Sequence, residues 1–276
     1  MDDLNKPEEP TEDPIEEIVE EEEYGLTDKI VAVLSEPGTL FTKLSDLPVK
    51  TVDWLLPVLL VIVAAIAMQF VAFSNPEIRA ELLEKQLEQM EQSLQESVDS
   101  GQISQEQADQ QLEQTAQFME RGGSLQLIFG AIGTVIVVFL VFFIVAGVFM
   151  LVSKSALGGT GTYKASMLAY GMPHYIAVIQ IIIMIVLSIL FGRLFQDASV
   201  GSFMGMEKEG IVGWFMHKLD PLSFWFYSVV GIAYAKMFKS DSTAKYVITI
   251  LAMWLGFSLL FHFLAEAVPF LKMFGM

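Results

Sequence analysis

Residues 54–73 read WLLPVLLVIVAAIAMQFVAF, apolar at every position except Gln69. As an α-helix this run extends roughly 30 Å at about 1.5 Å per residue, the thickness of a bilayer's hydrocarbon core. Apolar side chains around the whole circumference leave no face for water, so the segment is stable only with lipid or protein around it. Four more runs share the pattern: Leu125 to Val152, Ala165 to Phe191, Leu222 to Phe238 and Tyr246 to Val268, with no acidic residue before Glu266. The expected fold is all-α, a polytopic membrane protein with about five transmembrane helices over residues 54–268 and its two termini on opposite sides.

The chain is 53% hydrophobic yet carries a formal net charge of -17, so its charges must be segregated along the sequence. Much of the acid lies before Tyr24, where Glu8, Glu9, Glu12, Asp13, Glu16, Glu17 and Glu20 to Glu23 crowd among Pro7, Pro10 and Pro14. Residues 1–25 therefore read as a disordered acidic tail, unable to bury apolar area. Such a start does not suit a cleaved secretory signal, and the first span is expected to serve as its own insertion signal. With acid in excess and no basic cluster, nucleic acid is not an expected partner. The absence of Cys excludes disulfides, thiolate metal sites and a cysteine nucleophile.

Residues 26–53 read as amphipathic helices at the membrane interface. Leu26, Ile30, Val33 and Leu34 share one face, Thr27 is the expected N-cap, Pro37 ends the first helix, and Leu40, Phe41 and Leu44 mark a second; a packed cytosolic helix is the alternative. Between the first two spans, residues 75–124 are polar. Asn75 caps a helix entered through Pro76, with Ile78, Leu82, Leu87, Met90, Leu94 and Val98 recurring along it. Asp99, Ser100 and Gly101 break it, and Ser104 with Gln107 opens a second helix bearing Ala108, Leu112, Ala116 and Met119. The expected object is an extracytoplasmic helical hairpin, and residues 269–276 form a short tail.

Orientation follows from Lys and Arg in the connections. With the N-terminus cytosolic, nine of these residues lie inside and seven outside, and the inside ones concentrate around short links at Lys154, Lys164, Lys236, Lys239 and Lys245. The N-terminus is therefore expected in the cytosol.

Ionisable groups within spans are costly and raise a functional hypothesis. His174 lies in the cytosolic half of the third span, whereas His262 and Glu266 stand four apart on one face of the fifth, near its external end. A difference in depth of roughly 10 Å separates them, so no shared metal site is expected, and two ligands fall short of a zinc set. Gln69, Gln180 and Ser188 read as interhelical hydrogen bonds, while Gly130, Gly133, Thr134, Ala146 and Gly147 read as points of close helix approach. Among Pro57, Pro173 and Pro269, Pro173 is deepest and is the expected kink. The stretch Gly158-Gly159-Thr160-Gly161 lacks the Lys-Ser/Thr pair and preceding strand of a phosphate loop, and reads as a tight turn. With no nucleophile elbow or paired catalytic carboxylates in a span, neither enzymatic activity nor a cofactor is expected.

The segment from Leu157 to Lys164, followed by Tyr170-Gly171-Met172-Pro173, resembles the cytosolic turn and tyrosine-to-proline helix of the Yip family, Ypt/Rab-GTPase-interacting membrane proteins. Glu36-Pro37-Gly38-Thr39-Leu40-Phe41 is similar to that family's opening segment, and Leu219-Asp220-Pro221-Leu222-Ser223 with Gly231-Ile232-Ala233-Tyr234-Ala235-Lys236 is similar to its fourth span. Only Asp46-Leu47-Pro48 echoes the acidic motif of eukaryotic relatives, and the inserted hairpin departs from the family's short connections, so the chain looks more like a prokaryotic member, placed in the cell (inner) membrane. The resemblance implies five spans, a cytosolic N-terminus, and Tyr163, Tyr170 and Pro173 as family positions. It supplies a fold and a membrane location, while the plentiful surfaces and the lack of a catalytic constellation make a non-enzymatic scaffold or adaptor the expected role, with the bilayer and other membrane proteins or further copies of itself as partners. The alternative is a small transporter or channel component using His174, Gln180, His262 and Glu266.

Overall fold

The computed structural model describes the backbone of residues 25–121 and 123–267 and the side chains of 25–118 and 125–265. The acidic tail to Glu23, the side chains of Met119 and Glu266, and residues 268–276 lie outside these ranges. Among the described residues the chain runs through α1 (Leu26–Ser35), α2 (Pro37–Leu44), α3 (Thr51–Ser74), α4 (Pro76–Asp99), α5 (Gln105–Arg121), α6 (Gly123–Ser155), α7 (Tyr163–Gly171), α8 (His174–Phe191), α9 (Val200–Met204), α10 (Gly210–Lys218), α11 (Pro221–Met237) and α12 (Thr243–Ala267).

Four of the apolar runs are helices long and apolar enough to cross a membrane: α3, α6 from Leu125, the α7–α8 path and α12 to Ala265. The protein is thus an all-α polytopic membrane protein. The remaining run, α11, is 17 residues long, at the short end of what can cross. Its cap Asp220 accepts from Gln180 Nε2 (2.7 Å), part-way along α8, so α11 begins short of the level where α8 ends. The chain between them folds back as α9 and α10, and Trp214 of α10 donates to Ser258 Oγ of α12 (3.0 Å).

Pro173 has no N–H to give, and the third apolar path divides there into α7 and α8. The break coincides with a close approach. A Cβ on Gly171 would come within 2.6 Å of Trp54 Cβ. Trp54, expected at the lipid interface, is instead buried, stacked on Phe142 with ring centroids 5.3 Å apart. Gly231 plays the same part between α11 and α12, where a Cβ would meet Val247 Cα at 2.5 Å.

With its small residues turned to α12, α11 becomes the centre of the bundle. Phe226, Val229, Val230, Ala233, Tyr234 and Ala235 are buried against α2, α7, α8 and α12. The apolar face of α2 is spent on this core: Leu40, Phe41 and Leu44 are buried against protein rather than laid on lipid. Thr27 is not the cap of α1. Gly25 occupies that position, and Asp28 Oδ2 accepts from its N–H (3.2 Å).

Local signals elsewhere held. Asn75 Oδ1 accepts from Glu77 N (2.9 Å) and Ile78 N (3.3 Å), opening α4. Ser104 and Gln107 exchange the two bonds of a capping box (3.0 and 3.3 Å), and α4 and α5 pack as a hairpin with Ile78 and Ala108 buried. In the turn after α6, Gly158 adopts φ +75°, Thr160 N donates to Phe238 O (3.1 Å), and Gly161 leaves room for the Phe238 ring, 2.7 Å from where a Cβ would sit.

Lys29 of α1 donates to Asp53 at the start of α3 (2.7 Å), with both side chains buried. Removing one partner strands the other charge, which typically costs about 3–5 kcal/mol, whereas replacing both with apolar groups is often neutral. Lys29→Met is therefore expected to lower the thermal unfolding midpoint in detergent sharply, and Lys29→Met/Asp53→Leu to recover most of the loss.

Candidate functional site

Tyr163, Tyr170, Pro173 and His174 lie on one path, and the break at Pro173 turns the last two inward. His174 is buried, its Nδ1 donating to Tyr170 O (2.8 Å) and its ring met edge-on by Phe142, Tyr170 and Phe226 at 4.9–5.8 Å between centroids. Tyr170 in turn stacks on Phe142 (5.5 Å) and meets Phe149 edge-on (5.8 Å). Tyr163 caps nothing, but its hydroxyl donates to Phe143 O on α6 (2.9 Å). Ser166 Oγ donates to Ala146 O and stands 2.6 Å from the Tyr234 hydroxyl, joining α6, α7 and α11.

The other sequence-flagged polar groups divide between two uses. Gln69 donates to Thr134 Oγ1 (2.6 Å), an interhelical bond next to Gly130, and Gln180 reaches Asp220 as described. Ser188 was expected to bridge helices; its Oγ instead accepts from Phe195 N (2.9 Å), closing the chain as it leaves α8. His262 is remote from His174, half-buried on α12 with its ring 6.4 Å from Trp214 of α10. Glu266 continues the backbone of α12, and its side chain falls outside the described residues.

One cluster had no counterpart in the sequence reading. Asp197 accepts from the hydroxyls of Ser199 and Ser202 and from Ser199 N (3.2 Å), and its Oδ2 lies 3.1 Å from His217 Nδ1. Lys208 stands 3.8 Å from the same carboxylate and donates to Gln196 Oε1 (2.7 Å). Ser, His and Asp together invite comparison with a hydrolase triad, but the wiring differs. Ser199 Oγ (3.2 Å) and Asp197 address the same ring nitrogen, while His217 Nε2 donates to Met206 O (2.9 Å). A triad needs one nitrogen for each partner. This cluster is a clasp that ties α9 to α10. A sequence signal existed, since Ser199 is the N-cap of α9, bonding Ser202 N (3.0 Å), but its partner His217 lies 18 residues on.

Cavity space adjoins the clasp. A volume of about 1440 Å³ lies between α6 and α12, roofed by α4 and by the chain from Arg193 to Lys218.

These features define a class: a membrane-embedded bundle of helices, several of whose buried polar groups are joined across helix pairs, with a large lateral cavity among the described residues. The family model described as Yip1 domain matches residues 31–265, and the chain belongs to that family. No curated protein and no solved structure matches the chain.

Burial alone would push the Asp197 carboxyl up, but bonds from Ser199 and Ser202, with Lys208 and His217 beside it, outweigh burial and bring it below its ordinary value. A carboxyl lowered by folding contributes stability above the ordinary carboxylate range, and that contribution is lost as pH falls through the folded value. Hydrogen exchange of residues 197–217 is expected to accelerate as pH falls below about 4, beyond the intrinsic pH effect. In Asp197→Asn the same segment should exchange fast at neutral pH, with no such acid step.

Proposed function

We propose that this protein is a non-enzymatic scaffold of the Yip type that organises other membrane proteins, with its N-terminus in the cytosol. The observation that supports it most is the employment of the buried polar groups. Gln69, Ser166, Gln180, Asp220 and Tyr234 each bind another helix, and His174 is walled in by rings and a backbone carbonyl. Groups used in this way hold a shape and line no continuous polar path of the kind a transporter needs at mid-membrane. The surfaces offered to partners are the hairpin of α4 and α5 and the outward faces of α6 and α12, where Phe129, Ile136, Leu140 and Leu264 are exposed.

The orientation rests on charge. Lys43, Lys50, Lys154, Lys164, Lys236, Lys239 and Lys245 gather at the end of the bundle where α2, the turn after α6 and the turn after α11 meet, and there Lys239 pairs with Asp46. Because the chain has no Cys, single cysteines report sidedness cleanly. Ser100→Cys in the hairpin turn is expected to react with a membrane-impermeant maleimide on intact cells, and Ser240→Cys only after permeabilisation; the reverse pattern overturns the orientation.

For the scaffold role, in-cell photocrosslinking from hairpin positions such as Gln95 should capture discrete membrane-protein partners, and these should vanish when residues 76–121 are replaced by a short linker. In liposomes the purified protein should give no solute flux, and His174→Phe should leave both flux and crosslinking unchanged. Flux abolished by that substitution would favour the transporter reading.

A further inference from the structure

The cavity between α6 and α12 has two chemistries. Its walls are apolar, with Val141, Ile144 and Val148 on α6 facing Phe257 and Phe261 on α12, and Tyr227 and Trp254 deeper in. These two helices make no extensive contact with each other, and Val141, Ile144, Phe257 and Phe261 are exposed, so the wall is continuous with the lipid-facing surface of the bundle. At about 1440 Å³ it exceeds the roughly 300–1,000 Å³ of a site for a drug-sized molecule.

Its mouth is polar and carries cations. Lys85 is engaged by Glu81 (3.1 Å) and approaches Glu207 (4.0 Å), and Lys208 lies beside Asp197. Two others lack a carboxylate partner among the described residues. Arg193 donates to Ser202 O (2.9 Å) and Phe203 O (3.2 Å) and lies over the Phe195 ring, while the Lys218 ammonium stands 5.9 Å from the Trp254 ring. Lys218 is half-buried and feels the charge of Lys208, opposed by those of Asp197 and Asp220. The acids nearby are engaged with other groups: Asp220, whose charge also reaches Lys218, accepts from Gln180 and caps α11. Asp197 is committed to its serines and His217, Glu81 to Lys85, and Glu207 and Glu209 are exposed. Two neighbouring ammonium groups above an apolar slot open to the bilayer are complementary to an anionic head on hydrocarbon chains.

We propose that this cavity holds an acidic phospholipid, with its phosphate at Lys208 and Lys218 and its acyl chains between α6 and α12. The lipid fills a gap that no side chain closes, and its phosphate gives Lys218 a directly paired anion in addition to the more distant Asp197 and Asp220. This site does not depend on the partner-organising role, since it is read on the purified chain alone.

The test uses the full-length protein in mild detergent, equilibrated with vesicles of equal phosphatidylglycerol and phosphatidylcholine and examined by native mass spectrometry. Retention of phosphatidylglycerol is expected to exceed that of phosphatidylcholine by about tenfold or more, equivalent to about 1.4 kcal/mol. Lys208→Gln/Lys218→Gln should bring the ratio near one, and Val148→Trp, which fills the slot, should lower retention of both lipids. Inorganic phosphate and glycerol phosphate, added in excess, should not displace the lipid. Equal retention of the two lipids, an unchanged ratio in the lysine variant, or displacement by inorganic phosphate overturns the proposal. Should the lysine variant fail to fold, the unaltered chain still decides: phosphatidylglycerol must raise its thermal midpoint above the value in phosphatidylcholine, and equal midpoints overturn the proposal.

Discussion

Inside hydrocarbon a polar side chain has no water to fall back on, so each one placed between helices dictates which helices must meet. Gln69 with Thr134 joins α3 to α6, Ser166 with Ala146 and Tyr234 joins α7 to α6 and α11, and Gln180 with Asp220 joins α8 to α11. Apolar contacts alone would fix this arrangement weakly, because lipid tails are as good a neighbour as leucine. The polar bonds choose the partners and the glycines set the distance, so Gly171 admits Trp54 and Gly231 admits α12. From those few contacts the central position of α11 follows.

The parts of this fold that were legible in sequence are those decided within a few residues. An apolar run of membrane length, the Asn75 cap, the Ser104 and Gln107 box, the left-handed Gly158 and the break at Pro173 all depend on near neighbours, and each stands where the residues put it. What could not be read depends on a distant partner. The stripe of Leu40, Phe41 and Leu44 has the same pattern whether it lies on lipid or on α11, and only α11 settles the matter. Trp54 carried the mark of an interfacial aromatic, yet Phe142 and Gly171, roughly 90 and 120 residues on, bury it. The clasp of Asp197 and His217 sits in a segment with no periodic pattern, and only the fold shows it to be more than a link.

Membership of the Yip1 domain family fixes the architecture more firmly than the activity. Of the polar residues that first suggested chemistry, Gln180 joins α8 to α11 and His174 bonds back to Tyr170 O. A histidine in a span invites thoughts of proton relay, but three rings and a carbonyl enclose it. The groups with room around them lie elsewhere, at the mouth of the α6–α12 gap, where the sequence showed only a connecting stretch.

The central helix arrives late in synthesis. α3, α6, α7 and α8 all precede α11 in the chain, yet the amide of Gln180 finds its partner only on Asp220, and the Ser166 hydroxyl, bonded to Ala146 O of α6, meets Tyr234 only when α11 is present. Until the ribosome has passed residue 220, about four-fifths of the way along the 276 residues, the inserted helices stand in the bilayer around an empty axis with the Gln180 amide unmet. Closure of the bundle is therefore an end-of-translation event, and a chain cut short before residue 220 is left with four sides of a structure and no middle.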